Sequence, residues 1–294
     1  MTSCSFRSCR NLRQLLQAIA FPVALQQKRA PMPTLALPHG NLYYQLNGQP
    51  DAPTLVLSNS LGTDLGMWDA QIPALAEHFS VLRYDTRGHG RSLVSNGPYS
   101  IEQHAGDVLV LLDALGVQRA SFCGLSMGGL IGQWLLMHAA HRLNRVVLCN
   151  TAAKIANAEI WNTRIETVMR DGKAAMLGLR EASIARWFSP GFAATQPEEV
   201  ERILDMLVNT SPIGYAANCS AVRDADYRKD MSSVRVPTLI VCGDHDPVTT
   251  VADSQFLADA IQGSKLLSLP TAHLSNVEAQ ATFTAAILPF LLQS

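Results

Sequence analysis

The chain has 294 residues and a mass of 31.9 kDa, enough for one large α/β domain with a sizeable core or for two small ones. Its 23 basic residues balance 24 acidic residues, which excludes a broad electrostatic attraction to nucleic acid or to an anionic membrane surface. No apolar run approaches the roughly 20 residues that a membrane-spanning helix needs. We therefore expect a small neutral or singly charged substrate as the partner, and the sequence does not indicate an oligomeric state.

The cysteines and histidines argue against a bound metal. Cys123, Cys149 and Cys242 each lie in an apolar, strand-like run, where a free thiol behaves as a small hydrophobic side chain. No Cys-x-x-Cys pair occurs, and the eight histidines form no tight cluster with acids or cysteines. We expect a reducing compartment, the cytoplasm, and no cofactor or metal.

The first 31 residues contain five basic residues and no acid, unlike the remainder. A secretory signal is disfavoured because Gln17 and Pro22 interrupt the apolar run at residues 15–25. An organelle-type presequence fits the composition better. The third interpretation, which we adopt, is a disordered or incorrectly assigned extension before a working start at Met32. We then predict a single domain over residues 32–294.

From residue 34 onward, apolar strands alternate with helices. The strands are predicted at residues 41–46, 54–58, 80–85, 118–123, 145–150, 237–242 and 265–269. The helices are predicted at residues 69–78, 101–115, 127–140, 251–261 and 277–292. This alternation predicts an α/β fold with a mostly parallel central sheet, helices on both faces, and ligands at the carboxyl ends of the strands.

The alternation stops between residue 151 and about residue 234. This segment has helical stretches separated by breaks at Pro190, Pro197 and Pro212, and it contains no clear strand. Because the sheet resumes directly afterwards, we predict a helical cap over the ligand site. The alternative is a run of ordinary surface helices.

A sharp strand-to-helix turn is predicted at Gly-Leu-Ser-Met-Gly, residues 124–128. The Gly-x-Ser-x-Gly form is that of a nucleophile elbow, in which flanking glycines allow close backbone contact and strained serine torsions. We predict that Ser126 is a nucleophile. The Met127 N–H begins the helix, where it is suited to bind a developing oxyanion.

A serine hydroxyl needs a base that is held by an acid, and two later loops contain both. His273 and Asp246 follow the last two strands, and both come after the serine in the chain. Asp244 is the competing acid, but it lies nearer the strand end, where local turn hydrogen bonds are expected. The remaining candidates are solvated histidines away from strand ends: His39, His78, His138 and His141.

From about residue 34 to the end, the chain resembles an α/β-hydrolase and, more narrowly, a 3-oxoadipate enol-lactonase. The fold-level resemblance rests on residues 124–128, 85–92, 243–246 and His273, and on the order serine, acid, histidine. The narrower resemblance rests on three further runs, at residues 58–63, 129–135 and 186–188. Many members carry His-Gly where this chain has Asn59-Ser60, and the lactonases resemble it in that departure.

The resemblance implies the opening of an unsaturated five-membered lactone with a carboxymethyl group, in the β-ketoadipate route of aromatic catabolism. It implies that the Leu61 N–H is the second oxyanion donor. For His89 we prefer a structural role, because Asp85 and Arg87 are expected to fix the strand end beside it.

Under the cap we expect a small apolar pocket with Trp134, Met127 and Trp161 as walls. Arg186 is expected to bind the substrate carboxylate, and the alternative is a surface arginine beside a core tryptophan, Trp187. Two other functions stay open. One is another serine hydrolase, such as an esterase, a C–C bond hydrolase or a haloperoxidase-like perhydrolase. The other is a non-catalytic ligand-binding protein on the same fold.

Overall fold

The computed structural model describes residues 33–293. The predicted extension at residues 1–31 lies outside the described residues, and the division into domains stays a prediction. Within the described range, no helix combines the length and the apolar character that crossing a bilayer requires.

A central sheet of eight strands organises the fold. The strands are β1 (Thr34–Leu37), β2 (Gly40–Asn47), β3 (Thr54–Ser58), β4 (Ser80–Tyr84), β5 (Ala120–Leu125), β6 (Leu143–Cys149), β7 (Thr238–Gly243) and β8 (Lys265–Leu269). Their order in the sheet is β1-β2-β4-β3-β5-β6-β7-β8. The first two pairings are antiparallel and all others are parallel, which confirms the predicted mostly parallel sheet.

Eleven α-helices lie within the described residues. They are α1 (Ile72–Leu75), α2 (Ile101–Ala114), α3 (Met127–His138), α4 (Ala158–Asp171), α5 (Lys173–Trp187), α6 (Pro190–Thr195), α7 (Pro197–Asn209), α8 (Pro212–Asp224), α9 (Val251–Ala260), α10 (Ser275–Glu278) and α11 (Gln280–Leu291). Every residue of β5 and of β7 is buried, so helices and loops cover both faces of the sheet.

Two predicted elements differ from the structure, and one was missed. Residues 69–78 form not one helix but a 3₁₀ segment, Leu65–Gln71, followed by the short α1, because Pro73 fits a first helical turn better than a helix interior. The last helix begins at Gln280, after the separate turn of α10. Strand β1 escaped prediction because it pairs only with β2 and leaves no side chain fully buried.

The register of the parallel strands places several loops at one edge of the sheet. Ser58 at the end of β3 is opposite Gly124 of β5, and Leu125 is opposite Cys149 at the end of β6. Gly243, which ends β7, is opposite Leu269 of β8. The loops that follow β3, β5, β6, β7 and β8 therefore meet at the carboxyl edge.

Helices α4–α8, residues 158–224, lie between β6 and β7 and are called the inserted helices below. Helix α4 packs on α8, and α5 packs on α7. Two contacts join them to the loop after β8: the Leu274 N–H donates to the Trp187 carbonyl at 3.1 Å, and Glu278 Oε2 accepts from Ser189 N at 3.2 Å and Ala272 N at 2.9 Å.

A buried histidine on α2 is uncharged in the folded protein. The His104 ring is 1% exposed and meets the Tyr99 ring edge-on, with the ring centroids 5.9 Å apart. Burial, together with the charges of nearby His89 and Arg87, lowers the pKa of His104 from 6.5 to about 3. Protonation of this ring is therefore strongly linked to unfolding.

We predict that His104 makes the protein sensitive to mild acid. The unfolded chain binds a proton at His104 below about pH 6.5, whereas the folded chain does not until about pH 3. Between these values the free energy of unfolding should fall by about 1.4 kcal/mol per pH unit from this residue. His104→Phe keeps a ring at this position and should remove this contribution to the pH dependence of the free energy of unfolding. Denaturant titrations at several pH values measure it.

Exposed His78 offers the matched control, since His78→Phe should leave the slope unchanged. Equal slopes for His104→Phe and the wild type would contradict the assignment.

Candidate active site

The turn between β5 and α3 has the geometry expected of a nucleophile elbow. Ser126 adopts φ 57° and ψ −110°, a strained conformation for a residue with a side chain. A Cβ on Gly124 would lie 2.2 Å from the Gly128 carbonyl oxygen, and one on Gly128 would lie 2.3 Å from the Ser58 carbonyl oxygen. Both flanking positions therefore require glycine.

The structure brings His273 and Asp246 together. The His273 Nδ1–H donates to Asp246 Oδ2 at 2.8 Å, and both residues are buried. Ser126 and His273 line the same cavity. The competing acid, Asp244, is exposed and has no hydrogen bond to the ring. The serine, the histidine and one carboxylate thus occupy the same edge of the sheet, as expected of a nucleophile, a base and the acid that holds the base.

The Asp246 carboxylate accepts an unusually complete set of hydrogen bonds. Oδ1 accepts from Val248 N at 2.8 Å and Thr249 N at 3.1 Å, while Oδ2 accepts from Thr249 Oγ1 at 2.8 Å and Asn150 Nδ2 at 3.1 Å, besides the His273 bond. Burial raises the pKa of Asp246, but the charge of His273 and these hydrogen bonds outweigh burial and hold the pKa at about 2. The carboxylate therefore stays ionised at neutral pH.

Sequence reasoning missed Asn150 and Thr249 as partners of the acid. Asn150 directly follows β6 and has φ 42°, a conformation that asparagine adopts more readily than most residues. Its position just after a central strand, at the edge where the site was expected, was the one sequence signal that could have identified it. Nothing in the sequence around Thr249 marks it as a donor to Asp246.

Two backbone donors lie beside the serine. Within residues 33–293, neither the Leu61 N–H nor the Met127 N–H has a hydrogen-bond acceptor. The neighbouring Gly128 N–H donates to the Asn59 carbonyl at 3.1 Å and so fastens the loop after β3 to the start of α3. Leu61 and Ser126 line the same cavity.

That cavity has a volume of about 260 Å³. The loops of the sheet supply Leu61, Ser126 and His273 to its wall. The inserted helices supply the opposite wall, in which the larger side chains are Trp161, Arg164, Arg186, Trp187 and Tyr215. Among the predicted pocket residues, the cavity thus brings together Trp161 and Arg186.

Trp134 and the Met127 side chain, both expected as pocket walls, are not among the residues that line this cavity. Helix α3 leads away from Ser126, so Trp134, eight residues on, lies about 12 Å along the axis at 1.5 Å per residue. Its ring contacts the exposed His138 ring instead, with centroids 4.6 Å apart. The Met127 side chain is fully buried in the core.

The cavity is positively charged. Arg164 and Arg186 both line it, and its lining contains no aspartate or glutamate. Neither arginine forms an ion pair with a carboxylate in the described part of the chain. Burial lowers the pKa of Arg186, and the neighbouring charge of Arg164 lowers it further. Arg164 escaped the sequence analysis because a helical arginine has no distinguishing pattern.

The other histidines named from the sequence lie away from this site. They are the exposed residues His39, His78, His138 and His141. Across residues 33–293, no group of three or more His, Cys, Asp or Glu side chains is arranged to hold a metal ion.

Two known proteins and one solved structure are similar to this chain over most of its length. The chain is similar to 3-oxoadipate enol-lactonase 2 of Acinetobacter baylyi, with 45% identity over 246 residues, 84% of this chain and 91% of that protein. It is 40% identical to 3-oxoadipate enol-lactonase 1 of the same organism over 242 residues, 82% of this chain and 90% of that protein. The crystal structure of the enol-lactonase from Burkholderia xenovorans has 45% identity and a TM-score of 0.86, covering 89% of this chain and all of that one.

A sequence model of the alpha/beta hydrolase fold matches residues 53–280, which include β3 to β8, the elbow, Asp246 and His273. The match covers most of the chain, and the order of the strands and the position of the elbow agree with it. The chain therefore belongs to the α/β-hydrolase fold family.

Proposed function

We propose that this chain is a serine hydrolase that opens 3-oxoadipate enol-lactone, a small lactone with a carboxylate, to 3-oxoadipate in aromatic catabolism. One observation carries the proposal: Ser126 and His273 share a small cavity with two arginines and no carboxylate. The two relatives from Acinetobacter baylyi, which bear the name of this activity, support the choice of substrate.

In the first step, Ser126 Oγ attacks the lactone carbonyl while His273 Nε2 accepts the serine proton. Asp246 accepts the Nδ1–H bond of the ring at 2.8 Å, which sets the tautomer that leaves Nε2 free to act as a base. Because this carboxylate is ionised, it also stabilises the imidazolium that forms.

The carbonyl oxygen becomes negative in the tetrahedral intermediate, and the N–H groups of Leu61 and Met127 are the proposed donors to it. The ring C–O bond then breaks, and the enolate leaves and takes the proton from His273, which gives an enol that tautomerises to the 3-oxo group. Water attacks the acyl-enzyme with His273 again as base, which releases Ser126 and a second carboxylate.

The substrate carboxylate needs a partner because it loses hydration on entering the cavity. Arg186 and Arg164 are neighbouring cations without an ionic partner among the described residues. A bound anion would compensate both charges and relieve the repulsion between them. Trp161 lies beneath Arg164, whose guanidinium carbon is 4.9 Å from the ring centroid, and so limits its orientations. We propose that these arginines select acidic lactones.

A cytoplasmic location is part of the proposal. Cys123, Cys149, Cys219 and Cys242 are buried free thiols, and the first two have their sulfur atoms 3.7 Å apart without a bond. Neighbouring free thiols are typical of proteins in reducing compartments.

Removal of a triad side chain should abolish turnover without unfolding the protein. We expect Ser126→Ala and His273→Ala each to lower kcat by about a thousandfold or more, since the residues act as one unit. A fluorophosphonate probe should label the wild type at Ser126 and leave Ser126→Ala unlabelled. Labelling without any turnover of lactones or esters would favour a ligand-binding protein instead.

The two aspartates of the loop after β7 form a matched pair for testing the acid. Asp246→Asn should cost far more activity than Asp244→Asn, because only Asp246 contacts His273. The comparison is kcat for one substrate under identical conditions. A larger loss in Asp244→Asn would move the acid role to that residue.

Loss of an arginine should reduce activity on an acidic lactone and spare a neutral one. A hydrogen bond to a charged group is worth about 1.5–3 kcal/mol, so Arg186→Met should lower kcat/KM for the acidic lactone about ten- to a hundredfold. Arg164→Met should act in the same direction. Both variants are assayed on an acidic and a neutral five-membered lactone.

Exposed Arg170, on the same helix as Arg164 and paired with Asp171, is the control: Arg170→Met should match the wild type on both substrates. Equal losses on the two lactones would show that the arginines only support packing. A wild type without preference for the acidic lactone would refute the enol-lactonase proposal.

A further inference from the structure

A second buried histidine contacts the loop that contains Leu61. His89 is 1% exposed, and its Nε2 accepts a hydrogen bond from the Gly62 N–H at 2.8 Å. Its Nδ1 is 3.0 Å from Thr86 Oγ1. Because Nε2 accepts an N–H, the ring proton is on Nδ1 and is donated to the threonine hydroxyl. The ring is thereby fixed in one tautomer and one orientation.

Gly62, the residue after Leu61, is confined on its other side by the inserted helices. It has φ 82°, and a Cβ there would lie 2.7 Å from Leu207 Cδ1 and 3.6 Å from the Trp187 ring. A hydrogen bond on one side and tight packing on the other leave this peptide little freedom to rotate. The Leu61 backbone is held accordingly.

The turn that contains His89 is held by buried hydrogen bonds of Arg87. Arg87 forms two hydrogen bonds with Asp107 of α2, and both side chains are buried. Asn218 of α8 donates from Nδ2 to the Arg87 carbonyl at 2.9 Å. His89 therefore extends from a turn that is anchored both to the sheet layer and to the inserted helices.

We infer that His89 is a positioning residue for the oxyanion site: by holding the Gly62 N–H, it fixes the peptide that follows Leu61 and aims the Leu61 N–H at the developing oxyanion. This role goes beyond the structural role expected from the sequence, and it rests on the proposed hydrolase mechanism. Burial lowers the pKa of His89 to about 4, so the acceptor nitrogen is unprotonated at neutral pH.

The test compares three side chains at one position. His89→Leu removes the acceptor, His89→Asn is too short to reach the Gly62 N–H, and His89→Gln places an amide oxygen near the position of Nε2. A misaimed oxyanion donor stabilises the transition state less and leaves ground-state binding unchanged. We therefore expect His89→Leu and His89→Asn to lower kcat about ten- to a hundredfold with KM nearly unchanged. His89→Gln should recover most of that loss.

Ser92 provides the matched control for general damage to this turn. Its hydroxyl is buried, accepts from Tyr43 N at 2.9 Å and donates to the Asp85 carbonyl, and among the described residues it has no hydrogen bond to residues 59–63. Ser92→Ala should lower Tm like the His89 variants and keep the wild-type kcat. Equal kcat losses for His89→Gln, His89→Asn and Ser92→Ala would overturn the inference. A wild-type kcat in a folded His89→Asn or His89→Leu variant would also overturn it.

The measurement uses whichever ester or lactone the wild type hydrolyses fastest. A wild type that hydrolyses simple esters but does not prefer the acidic lactone would refute the enol-lactonase proposal and leave the His89 comparison readable. If His89→Leu does not fold, His89→Asn and His89→Gln decide alone, because the two amide side chains differ only in reach.

Discussion

Close backbone contact between the loop after β3 and the first turn of α3 is the constraint on which the site depends. Gly128 has no room for a side chain against the Ser58 carbonyl, and its N–H bonds to Asn59. This contact sets Leu61 and Met127 beside Ser126 as parts of one rigid unit. The parallel register then places Asp246 and His273 at the same edge, so the geometry follows from strand pairing more than from any single polar contact.

The carboxylate that holds His273 and the arginines that line the cavity differ in how far other protein groups compensate their charge. Asp246 accepts five hydrogen bonds and needs nothing from a ligand. Arg164 and Arg186 line the cavity, and no anion is paired with either of them in the described part of the chain. In the proposed mechanism, this asymmetry orients a ligand that has an electrophilic carbon at one end and a negative charge at the other. There the inserted helices contribute the selectivity for charge, and the loops of the sheet contribute the catalytic groups.

Sequence patterns predicted the parts of the fold that depend on local periodicity. Residues 54–58 and 265–269 agree with the observed strands, and Ser126, Asp246 and His273 were proposed from the sequence because each lies in a loop that follows a strand. Side-chain direction was not predictable in the same way. Trp134 shares a helix with the elbow but faces elsewhere, while Arg164 and Thr249 reach the site only through tertiary packing. His89 has an ordinary motif context, and only its contact with Gly62 distinguishes it.

The hydrogen bonds from Leu274 N to Trp187 and from Ser189 N to Glu278 have a consequence for how this architecture diversifies. They join the segment that determines pocket shape to the residues on either side of His273. A set of helices transplanted from a relative would change the substrate range and also disturb the support of the base, unless it kept a carbonyl and an N–H at these positions. In the proposed mechanism, changes in specificity and in rate are therefore coupled through these two contacts, and recombination at the boundaries of residues 158–224 should preserve both.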